Sequence, residues 1–89
     1  MSILCTITDH AMDRMIARIG CQEHTAQILA ERAILYGQDK EETQGELRQF
    51  LDNISRPPDP PSLKIMPPFV YIFRKTRLVT IYAIPKRLL

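Results

Sequence analysis

A chain of 89 residues is one domain with room for a single modest core, because at this size folding removes only a little over half of the surface that the unfolded chain exposes. Its 45% hydrophobic and 25% charged residues exclude intrinsic disorder, and a net charge of +2 speaks against an acidic mimic of DNA without establishing nucleic-acid binding. Cys5 and Cys21 have no neighbouring Cys or His at metal-ligand spacing, so no metal site, cofactor or disulfide framework is expected, and Cys5 reads as a small buried hydrophobe.

The first segment, "SILCTIT", is short and rich in β-branched residues and reads as a strand with Ile3, Cys5 and Ile7 on one side. Thr8 or Asp9 then caps a helix in which Met12, Met15, Ile16 and Ile19 recur at helical spacing, and Gly20 ends it in the left-handed conformation. A second helix runs from about Glu23 to Tyr36 through Ala26, Leu29, Ala30 and Ala33, with Gly37 as its stop signal. Beyond the charged loop "QDKEETQ", Leu47, Phe50, Leu51 and Ile54 form the buried stripe of a third, shorter helix.

The proline cluster at 55–61 can be neither a helix interior nor a central strand, because proline lacks the amide hydrogen and restricts the residue before it. It is a stiff connector within one domain spanning 1–89, since the residues after it are too few to bury a core alone. "SLKI" follows as a candidate short strand, then "FVYIFRKTRLVTIYAI", the strongest pattern in the chain. Two strands around a Lys75-Thr76 turn pair Phe73 with Leu78, Ile72 with Val79, Tyr71 with Thr80, Val70 with Ile81 and Phe69 with Tyr82. In that register Val70, Ile72, Val79, Ile81 and Ala83 form an aliphatic face suited to the helices, and Phe69, Tyr71, Phe73, Leu78, Thr80 and Tyr82 form an aromatic one. The turn lacks the Gly or Asn that would pin a two-residue loop, so a register one residue away stays open. Pro85 ends the last strand before the basic tail "KRLL". A strand, three helices and then two or three antiparallel strands predict an α+β fold with the helices on one face of the sheet. No run of ~18 apolar residues and no leader pattern occurs, so a cytoplasmic protein without membrane association is expected.

On the first helix His10, Arg14 and Arg18 fall within an arc of about 80° at ~100° per residue, so they can face one ligand together. Imidazole exchanges a proton near neutral pH and arginine forks hold phosphate oxygens, a combination suited to a phosphodiester. His10 also lies in the first helical turn, at the positive end of the helix dipole, where a phosphate is favoured and an imidazolium is not. The plain alternative is that both arginines drape their stems over the edge of the core and His10 only caps. His24, at the start of the second helix, has no evident partner and reads as a surface residue. Arg74, Lys75 and Arg77 at the turn, with Lys86 and Arg87 in the tail, add a basic end that could contact RNA or merely keep the hairpin soluble. The rings of Phe69, Tyr71, Phe73 and Tyr82 could stack on unpaired bases, form a docking face, complete a two-sided core or meet a second copy in a homodimer.

"ITDHAMDRMIARIG", "AERAILYG" and "VYIFRKTRLVTIYAIPKRL" together resemble a group of short uncharacterised proteins of bacteria and mobile elements with a His-x3-Arg-x3-Arg helix and a closing hairpin. More distantly, that arrangement is similar to the RelE and barnase-EndoU-colicin type of small ribonuclease toxin, which carries a helical layer on a curved antiparallel sheet and cuts RNA without metal. The resemblance implies His10 as general base or acid, Arg14 and Arg18 as phosphate binders and Tyr82 or Thr80 as supporting groups. The chain departs from the type in having no histidine in its sheet or tail, where only Tyr82, Lys86 and Arg87 could substitute. Two readings follow. One is a toxin-like endoribonuclease or RNA-binding protein working at His10, Arg14 and Tyr82. The other is a non-catalytic phage or plasmid protein that binds an antitoxin, host enzyme or defence complex through Phe69, Tyr71, Phe73 and Tyr82.

Overall fold

The computed structural model describes residues 4–55 and 59–89. In chain order they form β1 (Thr6–Ile7), α1 (Asp9–Ile19), α2 (Glu23–Tyr36), β2 (Gln38–Asp39), a short 3-10 turn (Lys40–Glu42), α3 (Gly45–Ile54), β3 (Ser62–Met66), β4 (Phe69–Arg74), β5 (Arg77–Ala83) and a final 3-10 turn (Lys86–Leu88). The fold is α+β, with three α-helices and a five-stranded mixed sheet among the described residues. The strand order is β1-β5-β4-β3-β2, antiparallel throughout except that β1 lies parallel to β5. No helix among the described residues is long and apolar enough to cross a membrane.

Local signals explain most of the boundaries. The Thr8 hydroxyl accepts the Ala11 amide at 3.1 Å and caps α1, and Gly20 closes it at φ 79°, a conformation that costs glycine nothing. Gly37 ends α2 differently from expectation. Its φ of −62° is ordinary, and glycine is needed because a Cβ would stand 2.5 Å from the Ala33 carbonyl oxygen and 2.8 Å from Lys64 Cβ. The absent side chain lets the chain turn directly from α2 into β2, inside what the sequence reads as a charged loop. Gln38 and Asp39 pair with Ile65 and Lys64, and Lys64 Nζ donates to Asp39 Oδ1 at 2.6 Å. The expected N-terminal strand shortens to Thr6–Ile7, with Cys5 buried as read and Ile3 outside the described residues. "SLKI" is β3, while the connector is described only at Ser55, which ends α3, and from Asp59 onward.

The helices do not share one face. Alanines 26, 30 and 33 of α2, with Ala11 and Met15 of α1, bury Tyr71, Phe73, Leu78 and Ile81 on one side of the sheet. On the other, Leu47, Phe50, Leu51 and Ile54 of α3 cover Leu63, Ile65, Val70, Ile72 and Ile84. The sheet is therefore the middle of three layers, which is why β4 reads as an almost unbroken apolar run instead of alternating with polar residues. Of the expected aliphatic face, Val70, Ile72 and Val79 meet α3, but Ile81 turns to the opposite side, where α1 and α2 enclose Tyr71, Phe73 and Leu78 of the expected aromatic face. On α1 the buried stripe runs through Ala11 and Met15, and Ile16, expected in the core, is 41% exposed.

The hairpin register holds only at its closed end. Phe73 pairs with Leu78 as expected, but a bulge follows, and Ile72 pairs with Thr80, Tyr71 with Ile81, Val70 with Tyr82 and Phe69 with Ala83. Val79 is the extra residue. It lets Leu78 and Ile81, three positions apart, both enter the core under α1 and α2, while Val79 packs on the α3 side.

Candidate functional site

The open edge of β5 is where α1 meets the sheet. β1 pairs with β5 only at Arg77 and Leu78, so beyond them that edge has no strand to receive it, and α1 takes over. The Thr8 amide donates to the Leu78 carbonyl at 3.0 Å and its hydroxyl to the Val79 carbonyl at 3.3 Å. Further along the helix, Arg14 Nε donates to the Ile81 carbonyl at 3.0 Å. Thr8, the cap of α1, and Arg14 within it thus supply donors to an edge whose carbonyls would otherwise be left to water.

The same approach assembles the residues singled out from sequence. His10 Nε2 and Thr80 Oγ1, 70 positions apart in the chain, share a hydrogen bond at 3.3 Å, with the donor set by the imidazole tautomer. The Arg14 guanidinium lies over the Tyr82 ring, 5.5 Å from its centroid, within cation–π range. The bulge is what makes the first of these contacts: strict alternation from Leu78 would turn Thr80 into the core and Ile81 away from it. Tyr82 remains 39% exposed, so its ring presents an open surface beside the cation. Among the described residues neither Asp9 nor Asp13 pairs with an arginine of α1, and the terminal nitrogens of Arg14 have no protein partner. Arg18, one turn further, is exposed and likewise unpaired among the described residues. The strip sits on an open ridge.

The remaining candidates divide. Arg74, Lys75 and Arg77 lie at the closed end of the hairpin, around a separate cleft. Lys86 is exposed in the final 3-10 turn, whereas Arg87 donates to Glu46 of α3 at 2.9 Å and belongs to the other side of the sheet. His24 is exposed. The proposed docking face does not exist as a surface. Tyr71 and Phe73 are 2% and 1% exposed and Phe69 is half-buried against the same core, so of the four only Tyr82 is exposed. Burial pushes the Tyr71 hydroxyl up to about 12, with a smaller contribution from Cys21, as suits a core phenol and not a proton donor. Among the described residues no three His, Cys, Asp or Glu side chains gather as metal ligands.

Chemically, the ridge offers a fork-shaped cation for phosphate oxygens, an imidazole poised on a hydroxyl and an exposed ring for a base. Sequence reading missed Thr8 as the anchor and Val79 as the bulge. The spacing of Leu78 and Ile81 was the available sign, because two core residues three apart break the period of two. No family model, curated protein or solved structure matches the chain.

Proposed function

We propose that this protein binds single-stranded RNA along the α1–β5 ridge and cleaves it in the manner of the small ribonuclease toxins. The observation that carries the reading is the meeting of His10 with Thr80 beside Arg14 on Tyr82, four polar side chains from two distant segments on one accessible surface. In the reaction, His10 takes the proton of a ribose 2′-hydroxyl as that oxygen attacks the adjacent phosphorus. The bond from phosphorus to the 5′-oxygen breaks, leaving a 2′,3′-cyclic phosphate, and the departing oxygen takes a proton from the Tyr82 phenol or from water. Arg14 holds the non-bridging oxygens as charge builds on them.

The interaction-protein reading required four aromatic side chains on one open face, and Tyr71 and Phe73 are buried in the core. Incubation of the purified protein with single-stranded RNA in EDTA tests the reading. Fragments ending in 2′,3′-cyclic phosphate are expected, with a fall of about a hundredfold or more in His10→Ala. Full cleavage by His10→Ala, or RNA left both uncut and unbound by the wild type, would overturn it.

A further inference from the structure

Beside the ridge, at the closed end of the β4–β5 hairpin, lies a cleft of about 660 Å³. α3 covers β3 and β4 but leaves this corner of the sheet open, and Asp59–Ser62 form its opposite wall. Its size falls within the range of small-ligand sites. Pro60, Pro61 and Val79 give it an apolar lining, and Arg74, Lys75 and Arg77 stand around it. Asp59 is the one carboxylate on the wall, and Arg74 Nη1 occupies it, donating to its carboxylate at 3.1 Å and to its carbonyl at 3.0 Å. Lys75 and Arg77 therefore keep unneutralised charge among the described residues. A lining that combines apolar side chains with unpaired cations is complementary to a flat base attached to a phosphate.

Two further observations tie the cleft to the ridge and to binding. Val79 lines the cleft and directly precedes Thr80, so the bulge joins the two places, and Thr6 of β1 lines the cleft two residues before Thr8 of the α1 cap. From Arg77 to Thr80 is about 10 Å along the strand. Lys75 holds φ 57°, a left-handed conformation that glycine or asparagine fills at less cost, so a long cationic side chain stands where the backbone favours none. We infer that this cleft receives one nucleotide of the RNA strand, its base against Pro60, Pro61 and Val79 and its phosphate on Lys75 and Arg77, next to the phosphodiester held at His10, Thr80 and Arg14. The inference rests on the RNA reading of the ridge and names where the neighbouring nucleotide goes.

The test uses the full chain, a fluorescein-labelled hexaribonucleotide and uridine 3′-monophosphate, with affinity read by anisotropy for the first and backbone amide shifts by NMR for both. The mononucleotide is expected to shift Thr6 and Val79, and Lys75→Gln/Arg77→Gln is expected to weaken the hexanucleotide tenfold or more. Lys75→Gly separates binding from folding, since it should weaken the hexanucleotide several-fold while its Tm stays at or above that of the wild type. Unchanged affinity in Lys75→Gln/Arg77→Gln, with shifts confined to Thr80 and Tyr82, overturns the cleft and leaves the ridge standing. Shifts from both probes confined to the cleft support it as a nucleotide site and overturn the ridge instead. Absence of binding by either probe overturns both.

Discussion

Tyr71 shows how one residue type takes opposite roles in this chain. Its ring is enclosed by α1 and α2, while Tyr82, at the open edge of β5, stays accessible beneath a guanidinium. The buried phenol is neutral in both folded and unfolded chains below its ordinary value of 10.0 and adds no pH dependence there. Between about 10 and about 12 the unfolded chain releases the proton first, so this contribution to stability is lost as pH rises through the folded value. Wild type is therefore expected to lose on the order of 2–3 kcal/mol more than Tyr71→Phe between pH 9 and 12, read as the difference in urea midpoints. Parallel loss in the two proteins would contradict the burial assigned to this hydroxyl.

At the scale of elements, the contact of α1 with the β5 edge carries both stability and the ridge. Thr8 joins them by accepting the Ala11 amide and donating to the Val79 carbonyl. Thr8→Val keeps the shape and removes both bonds, and a loss of about 1–2 kcal/mol is expected in denaturant titration, within the usual range for a helix cap. Hydrogen exchange should rise first in the opening turn of α1. Since His10 and Arg14 reach Thr80 and Tyr82 only from that docked helix, the same substitution should also slow RNA cleavage. The bulge at Val79 has the complementary role on the strand side, keeping Ile81 in the core and Thr80 at the edge.

Over the whole molecule, Arg14 and Arg18 of α1 and Lys75 and Arg77 at the cleft carry no carboxylate partner among the described residues, while Arg87 and Lys40 are taken up by Glu46 and Asp52 of α3. If each of these four residues neutralises one phosphate, single-stranded RNA affinity should fall with salt at a logarithmic slope of about −3. That is a loss of roughly fiftyfold between 50 and 200 mM salt. Anisotropy titrations across that range provide the check, and an affinity indifferent to salt would remove the electrostatic basis of the binding surface.

The helices, the caps of α1 and the presence of the hairpin are legible in the chain because they depend on neighbours within a few positions: Thr8 before Ala11, Gly20 after Ile19, Leu47 to Ile54 at helical spacing. The clustering of His10, Arg14 and Arg18 on one side of α1 is legible for the same reason. Local spacing cannot tell which face of a sheet each helix covers, because an apolar strand run is compatible with burial on one side or both, and here α3 crosses to the opposite side from α1 and α2. The bulge, the parallel pairing of β1 with β5 and the meeting of His10 with Thr80 depend on contacts between segments far apart in the chain, whose energies appear only when the layers are stacked. Residue chemistry and local structure were thus set by sequence alone, and tertiary packing decided which aromatics became core and which polar groups came to share a surface.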